Sequence, residues 1–208
     1  MNPIDRLSEM FEHFPGIGPR QARRFVQYLL SAPQSTRAQL ADTVSKLGQE
    51  TLQCKRCYRW FTKTEARQKE NQMLCPICAD ERREHSLFVV EKDADLEQVE
   101  RAGFRGVYFV LGGTIPLASE EPHKHVRLKA LVARVEGDAT DKKLQELILG
   151  LSATAEGDHT RQYLVETLES FAQKFNFKIT SLGRGLSTGS ELEYADPDTI
   201  QNALSSRH

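Results

Sequence analysis

The sequence predicts a chain that is α/β in its larger part and α+β overall. Three observations carry that prediction. Apolar residues recur at helical spacing up to about residue 50. All four cysteines fall between residues 54 and 78, in two closely spaced pairs. From Arg83 onward, short apolar runs alternate with amphipathic stretches. Alternation of that kind builds βαβ units, hence a mostly parallel sheet with helices on both faces.

The elements follow in order. Residues 2–14 read as a helix, with Asn2 able to cap it and Pro3 suited to its first position. Ile4, Leu7, Met10, Phe11 and Phe14 share one face of it. "PGIGP" stops this helix, and a second opens at Pro19 with Ala22, Phe25, Val26, Leu29 and Leu30 as its stripe. A third covers Thr36 to Gln49, using Leu40, Val44 and Leu47. The cysteine segment has too few large apolar residues to fold by burial alone. Beyond it, "SLFVV", "GVYFVLGG", "ELILGL" and "FKITSL" read as strands. "DADLEQVERAG", "HVRLKALVARVE" and "DHTRQYLVETLESFAQKF" read as the helices between them. The tail holds a glycine-rich loop and a short helix capped by Asp196. The expected domains are therefore 1–53, 54–78, 80–177 and 178–208.

Composition narrows the function. With 39% apolar and 27% charged residues the chain is globular. Its net charge of -1 excludes a uniformly basic coat but not local basic patches. No apolar run reaches membrane-spanning length, and "MNPIDRLSEMFEHF" lacks an apolar signal core, so a cytoplasmic location is expected.

Cys54, Cys57, Cys75 and Cys78 form C-x₂-C, seventeen residues, C-x₂-C. Each tight turn presents two sulfurs, and two such turns complete a closed tetrahedron. One structural zinc ion per chain is the expectation, with Lys55, Arg56 and Arg59 near enough in sequence to offset the thiolate charge. In "FPGIGPRQARRF", Gly16 and Gly18 permit close backbone approach and Pro19 begins a helix. Exposed N–H groups at that helix start, followed by Arg20, Arg23 and Arg24, make an anion site suited to DNA phosphates of any sequence.

The run "LFVV" ends in Glu91, Asp93 and Asp95. Carboxylates at a strand end suit Mg²⁺ chemistry. They equally suit a helix start, where acids cap and meet the macrodipole. The arrangement resembles a Toprim domain, which needs a Glu after the first strand and an Asp-x-Asp pair after a later one. Glu91 fits the first requirement, but "SATAEGD" places Ser152 and Thr154 where the Asp pair would stand. No catalytic residue is assigned. A Mg²⁺-dependent nuclease or primase-like enzyme is the alternative reading.

A helix-hairpin-helix, a four-cysteine zinc module and a Toprim domain in that order resemble the RecR family of bacterial recombination mediators. The residues that carry this are "FPGIGPRQARR", "CKRC", "CPIC", "VVEKDADLEQVERAG", "GVYFVLGG", "TAEGD" and "GLSTGSELEYAD". The resemblance implies single- and double-stranded DNA contacts at Arg20 and Arg24, and an acidic face at Glu91 and Asp95, joined by Glu156, that meets the partner RecO. It also implies a homotetramer, a dimer of dimers forming a ring around DNA. Such proteins act with RecO and RecF, near the nucleoid, to load RecA on gapped single strands, and no enzymatic activity goes with them. Two departures stand out. The interval between the cysteine pairs is long, room for an extra hairpin, and Ser187 and Ser190 replace the Pro and Gly the family favours in the tail loop.

Overall fold

The computed structural model describes residues 1–69, 72–141, 144–183, 185–186, 189 and 191–205. They fall into two units, Met1–Thr51 and Leu52–His208.

The first unit is helical. Helix α1 (Pro3–Glu12) is capped by Asn2, whose Oδ1 accepts the Asp5 N–H at 2.9 Å. It packs on α2 (Pro19–Ser31) through Phe11, whose ring meets Phe25 edge-on at 5.6 Å. Ala22 and Val26 are buried on α2, and Ser8 on α1, its hydroxyl donating to the Ile4 carbonyl. Helix α1 is shorter than the sequence suggests because Phe14 N–H turns back to the Phe11 carbonyl. Met10 and Phe14, expected on the packed face, are exposed. Helix α3 (Gln34–Glu50) buries no residue, and its Leu40, Val44 and Leu47 are open to solvent.

The second unit is built on a four-stranded parallel sheet in the order β6-β5-β7-β8. These strands are β5 (Ser86–Val90), β6 (Val107–Val110), β7 (Glu146–Gly150) and β8 (Lys178–Ser181). Strand β8 lies past Phe177, where the sequence placed a domain boundary, yet it is paired with β7. Alternation along β5 sorts its side chains. Leu87 and Val89 meet Leu131 and Val135 of α6 (Leu128–Asp141) and Leu164 and Leu168 of α7 (Ala155–Phe175). Phe88 and Val90 face the other way, onto Leu96 of α5 (Asp93–Arg101) and onto the cysteine module.

That module does not stand alone. Phe61, Leu74 and Ile77 join the four cysteines, Phe88 and Tyr108 in one apolar layer. The layer supplies the burial that the cysteine segment lacks by itself. The module comprises β1 (Thr51–Gln53) paired with β2 (Trp60–Thr62), a hairpin of β3 (Arg67–Lys69) and β4 (Gln72–Leu74), and the short α4 (Pro76–Ala79). The chain closes with α8 (Pro197–Ser205), capped by Asp196, whose Oδ1 accepts the Thr199 N–H at 2.9 Å.

Helix α7 begins earlier than its apolar pattern indicates. Thr154 caps it, accepting the Gly157 N–H on Oγ1 at 3.1 Å, so "TAEGD" is a helix start. A Cβ at Gly157 would stand 2.1 Å from the Ser152 carbonyl oxygen, so only glycine lets the helix approach the end of β7 this closely. Helix α6 begins at Leu128, later than expected, because Arg127 N–H is bonded to the Leu111 carbonyl.

Candidate nucleic-acid interface and metal centre

The hairpin of the first unit is set by Gly16, at φ +78°, and by the Ile17 N–H bonded to the Phe14 carbonyl. Gly18 is the N-cap of α2 with ordinary backbone angles and supplies no side-chain cap. A Cβ on Gly18 would meet nothing within 4 Å. The fold itself therefore does not demand glycine at 18, whereas a ligand approaching the backbone would. The Gly18 carbonyl accepts from Gln21 and Ala22. The Gly18 and Arg20 N–H groups find no partner among the described residues and open onto solvent. Arg20, Arg23 and Arg24 are all exposed. Arg23 lies 3.9 Å from Asp5, a loose surface pair worth little. Arg20 and Arg24, one turn apart, make no ion pair with the described residues.

In the second unit the sulfurs of Cys54, Cys57, Cys75 and Cys78 lie within 4.8 Å of one another, with Cys57 and Cys75 at 3.6 Å. Four thiolates around one Zn²⁺ at about 2.3 Å would stand about 3.8 Å apart, so the set fits a closed tetrahedral ion. All four are buried. Their mutual hydrogen bonds split the thiols, Cys57 pulling Cys54 down and Cys54 pushing Cys57 up. Full ionisation of so close a set needs a cation. Among the described residues no other group of His, Cys, Asp and Glu is close enough to hold an ion.

The first knuckle is fixed to the sheet at its backbone. Cys57 carbonyl accepts the Val110 N–H at 2.8 Å, and Tyr58 follows at φ +64° with its ring against Phe109 and under the Arg127 guanidinium. Arg134 of α6 donates from Nη1 to the Arg56 carbonyl at 2.9 Å and from Nε to Asp138 Oδ2 at 2.6 Å. Arg56 Nη2 reaches the other Asp138 oxygen at 2.8 Å. Arg134 Nη2 is buried with no hydrogen-bond partner. Burial opposes the charge on Arg134, but Asp138 and the sulfurs of Cys78 and Cys57 outweigh it, so its pKa lies above the ordinary guanidinium value. The buried cation beside the thiols is thus Arg134, not the knuckle residues Lys55, Arg56 and Arg59. Sequence reasoning missed it; the signal was an Arg and an Asp four apart on a helix otherwise facing the core.

The third group sits at the carboxyl ends of β5 and β7. The connection after β5 runs to β6 on one side and that after β7 to β8 on the other, the switch point where α/β sheets bind ligands. Glu91 is nearly buried there, and one of its oxygens accepts the Ser152 N–H at 2.6 Å. Ser152 Oγ and Thr154 Oγ1 lie 2.9 Å apart. Glu91 and the two hydroxyl residues that replace the Asp pair are therefore brought together. Asp95 accepts the Lys92 N–H at 3.1 Å as part of the α5 cap. Asp93 instead accepts the Trp60 N–H at 2.9 Å, tying α5 to β2, and burial raises its carboxyl above the usual range. Glu156 is exposed, within 3.2 Å of the Thr114 hydroxyl. Ser187 and Ser190 lie outside the described residues.

Comparison with known proteins matches three segments of this layout. Residues 4–47 match the family described as RecR, helix-hairpin-helix, residues 85–181 the Toprim domain, and residues 185–208 RecR, C-terminal. Over 207 residues the chain is 37% identical to a protein of Bifidobacterium longum subsp. infantis named Recombination protein RecR, covering 98% of this chain and 94% of the relative. The chain belongs to the RecR family. A RecR of Cereibacter sphaeroides is likewise 37% identical over 206 residues, covering 98% and 95% of the two chains. The hairpin glycines and arginines lie inside the matched helix-hairpin-helix of this RecR-family chain, and Glu91, Asp95 and Glu156 inside its Toprim segment. No helix among the described residues is long and apolar enough to cross a membrane.

Proposed function

We propose that the chain is a non-enzymatic recombination mediator: a zinc-stabilised, DNA-binding protein of the cytoplasm that works as an oligomeric clamp in recombinational repair. The observation that carries the reading is the start of α2. Unpaired N–H groups, a glycine the fold does not require and two unpaired arginines converge there. That is a phosphate site which reads no bases. The kinship with recombination proteins over nearly the whole chain supports the same reading.

The finer roles follow the family resemblance. Gly16, Gly18, Arg20, Arg23 and Arg24 contact single- or double-stranded DNA. Cys54, Cys57, Cys75 and Cys78 hold one structural zinc. Glu91, Asp95 and Glu156 form the face for RecO, with RecF a further partner and RecA loading the outcome. A tetramer would multiply a weak hairpin contact by avidity, which suits a chain of net charge -1. The hydroxyls at Ser152 and Thr154 are poor Mg²⁺ ligands beside carboxylates, which weighs against cleavage chemistry at Glu91.

The test is fluorescence anisotropy with labelled single-stranded, duplex and gapped DNA across a salt series. Replacing Arg20 and Arg24 by alanine removes two phosphate contacts, and the slope of log K against log salt should fall by about 1.8 on duplex DNA. An unchanged slope and affinity would remove the hairpin from the interface. Metal-dependent DNA cleavage lost in Glu91→Gln would replace the mediator reading with an enzymatic one.

A further inference from the structure

The segment between the cysteine pairs supplies no thiol, yet it carries the only tryptophan of the chain, on β2. Trp60 opens β2, whose middle residue Phe61 is buried in the apolar layer while Trp60 and Thr62 point out. Trp60 is 55% exposed, although its backbone is fixed by Asp93. A large flat ring held on a rigid strand and left in solvent is costly unless something covers it.

The sequence on either side of it is mostly basic, although the carboxylate of Asp93 is bonded to the Trp60 N–H. From Lys55 to Leu74 the sequence holds six basic residues (Lys55, Arg56, Arg59, Lys63, Arg67, Lys69) and two acids (Glu65, Glu70), in a chain of net charge -1. Arg56 is paired with Asp138. Lys55, Arg59, Lys63 and Arg67 make no ion pair among the described residues. Glu65 is turned inward on its own loop, accepting both the Thr62 hydroxyl, at 2.6 Å, and the Thr62 N–H. It locks the Lys63–Glu65 turn beside β2 and leaves Lys63 outward.

The geometry points to this segment as a contact for single-stranded nucleic acid, with Trp60 stacking on a base and Arg59 and Lys63, its near neighbours in sequence, tracking the phosphates. An exposed aromatic ring flanked by unpaired cations is the recurring platform for unpaired bases, and it tolerates any sequence. Duplex DNA offers no free base face, so Trp60 would add preference for single strands to a helix-hairpin-helix site that grips backbone of either kind. The inference rests on the DNA-binding reading above.

The sole tryptophan makes the test direct. The full chain is excited at 295 nm, where tyrosine contributes little, and titrated with an unlabelled oligothymidylate and with a blunt duplex. Anisotropy with labelled versions of the same DNAs runs in parallel. The expected result is saturable quenching by oligothymidylate, little quenching by duplex, and about tenfold weaker single-strand binding in Trp60→Ala, or about 1.4 kcal/mol. Trp60→Phe should retain most of the affinity, and Lys63→Ala should weaken it with a shallower salt slope. Because the ring is exposed, each variant should keep the parent melting temperature. Binding by anisotropy without quenching, and unaltered in Trp60→Ala, overturns the inference and leaves the hairpin-helix interface standing. Absence of any DNA binding removes both. Quenching that depends on protein concentration alone assigns Trp60 to a contact between copies, and quenching only by a partner protein assigns it to that partner; either overturns the inference.

Discussion

Arg134→Met would test whether the metal centre and the sheet are one structure. The change keeps the volume of the stem and deletes the guanidinium that bonds the Arg56 carbonyl and Asp138. Removing one partner of a buried ion pair costs about 3–5 kcal/mol, because the remaining charge is stranded. Asp138 retains Arg56, whose side chain is 21% exposed, so the lower figure applies, about 3 kcal/mol. For a domain of this size each kcal/mol moves Tm by about 2–4 °C, which gives a drop of roughly 6–12 °C. Far-UV circular dichroism reads the melting, and a chromogenic chelator reads zinc release, which should accelerate as the knuckle backbone loosens. Arg134→Lys keeps the charge but not the fork and should fall between the two. A Tm within about 2 °C of the parent, with zinc release unchanged, would refute the argument that Arg134 couples α6 to the metal.

Four other outcomes follow from the geometry. Gly18→Ala should lower Tm only by the modest cost of an alanine N-cap, since its Cβ meets nothing, while weakening DNA binding by sterically blocking the phosphate; Gly16→Ala should also cost about 1 kcal/mol of stability because of its φ of +78°. Metal analysis should return one zinc per chain, and chelation should lower the melting temperature of the second unit rather than release a local loop. Arg83 holds the Glu100 carboxyl below the usual carboxylate range. The folded pKa is the lower one, so this stabilisation is complete above the unfolded value near 4.3 and is lost as pH falls through the folded pKa; Glu100→Gln should show a flatter acid limb in a pH series of melting curves. Asp95→Asn keeps an oxygen for the Lys92 N–H and removes only charge, so loss of RecO binding in that variant marks the acidic face, while retained binding reduces Asp95 to a cap.

The alternation of apolar runs with amphipathic stretches located all four strands of the sheet and the helices between them, because period 2 and period 3.6 are visible in a single sequence. The cysteine spacing located the four-thiol cluster for the same reason: two short turns encode it locally. Contacts between distant segments were not legible. Nothing near Cys57 announces that Val110 will bond its carbonyl, or that Arg134, 78 residues from Arg56, will fasten the knuckle. Helix starts shifted where a cap, not periodicity, decides them, as at Thr154. Asp93 read as one of a cluster of acids, yet its carboxylate serves β2, a pairing that only the folded chain reveals.

The apolar layer shared by the cysteines, Phe88 and Tyr108 has a consequence for how this molecule comes apart. Segments that bury one another open together, so their amides exchange with solvent on one common timescale. Strand β5 is the central partner of β6 and β7 and also the floor beneath the knuckles. Deuterium uptake at Tyr108 and Val110, far from any sulfur in sequence, should then rise together with that of the knuckles when a bound ion is stripped away.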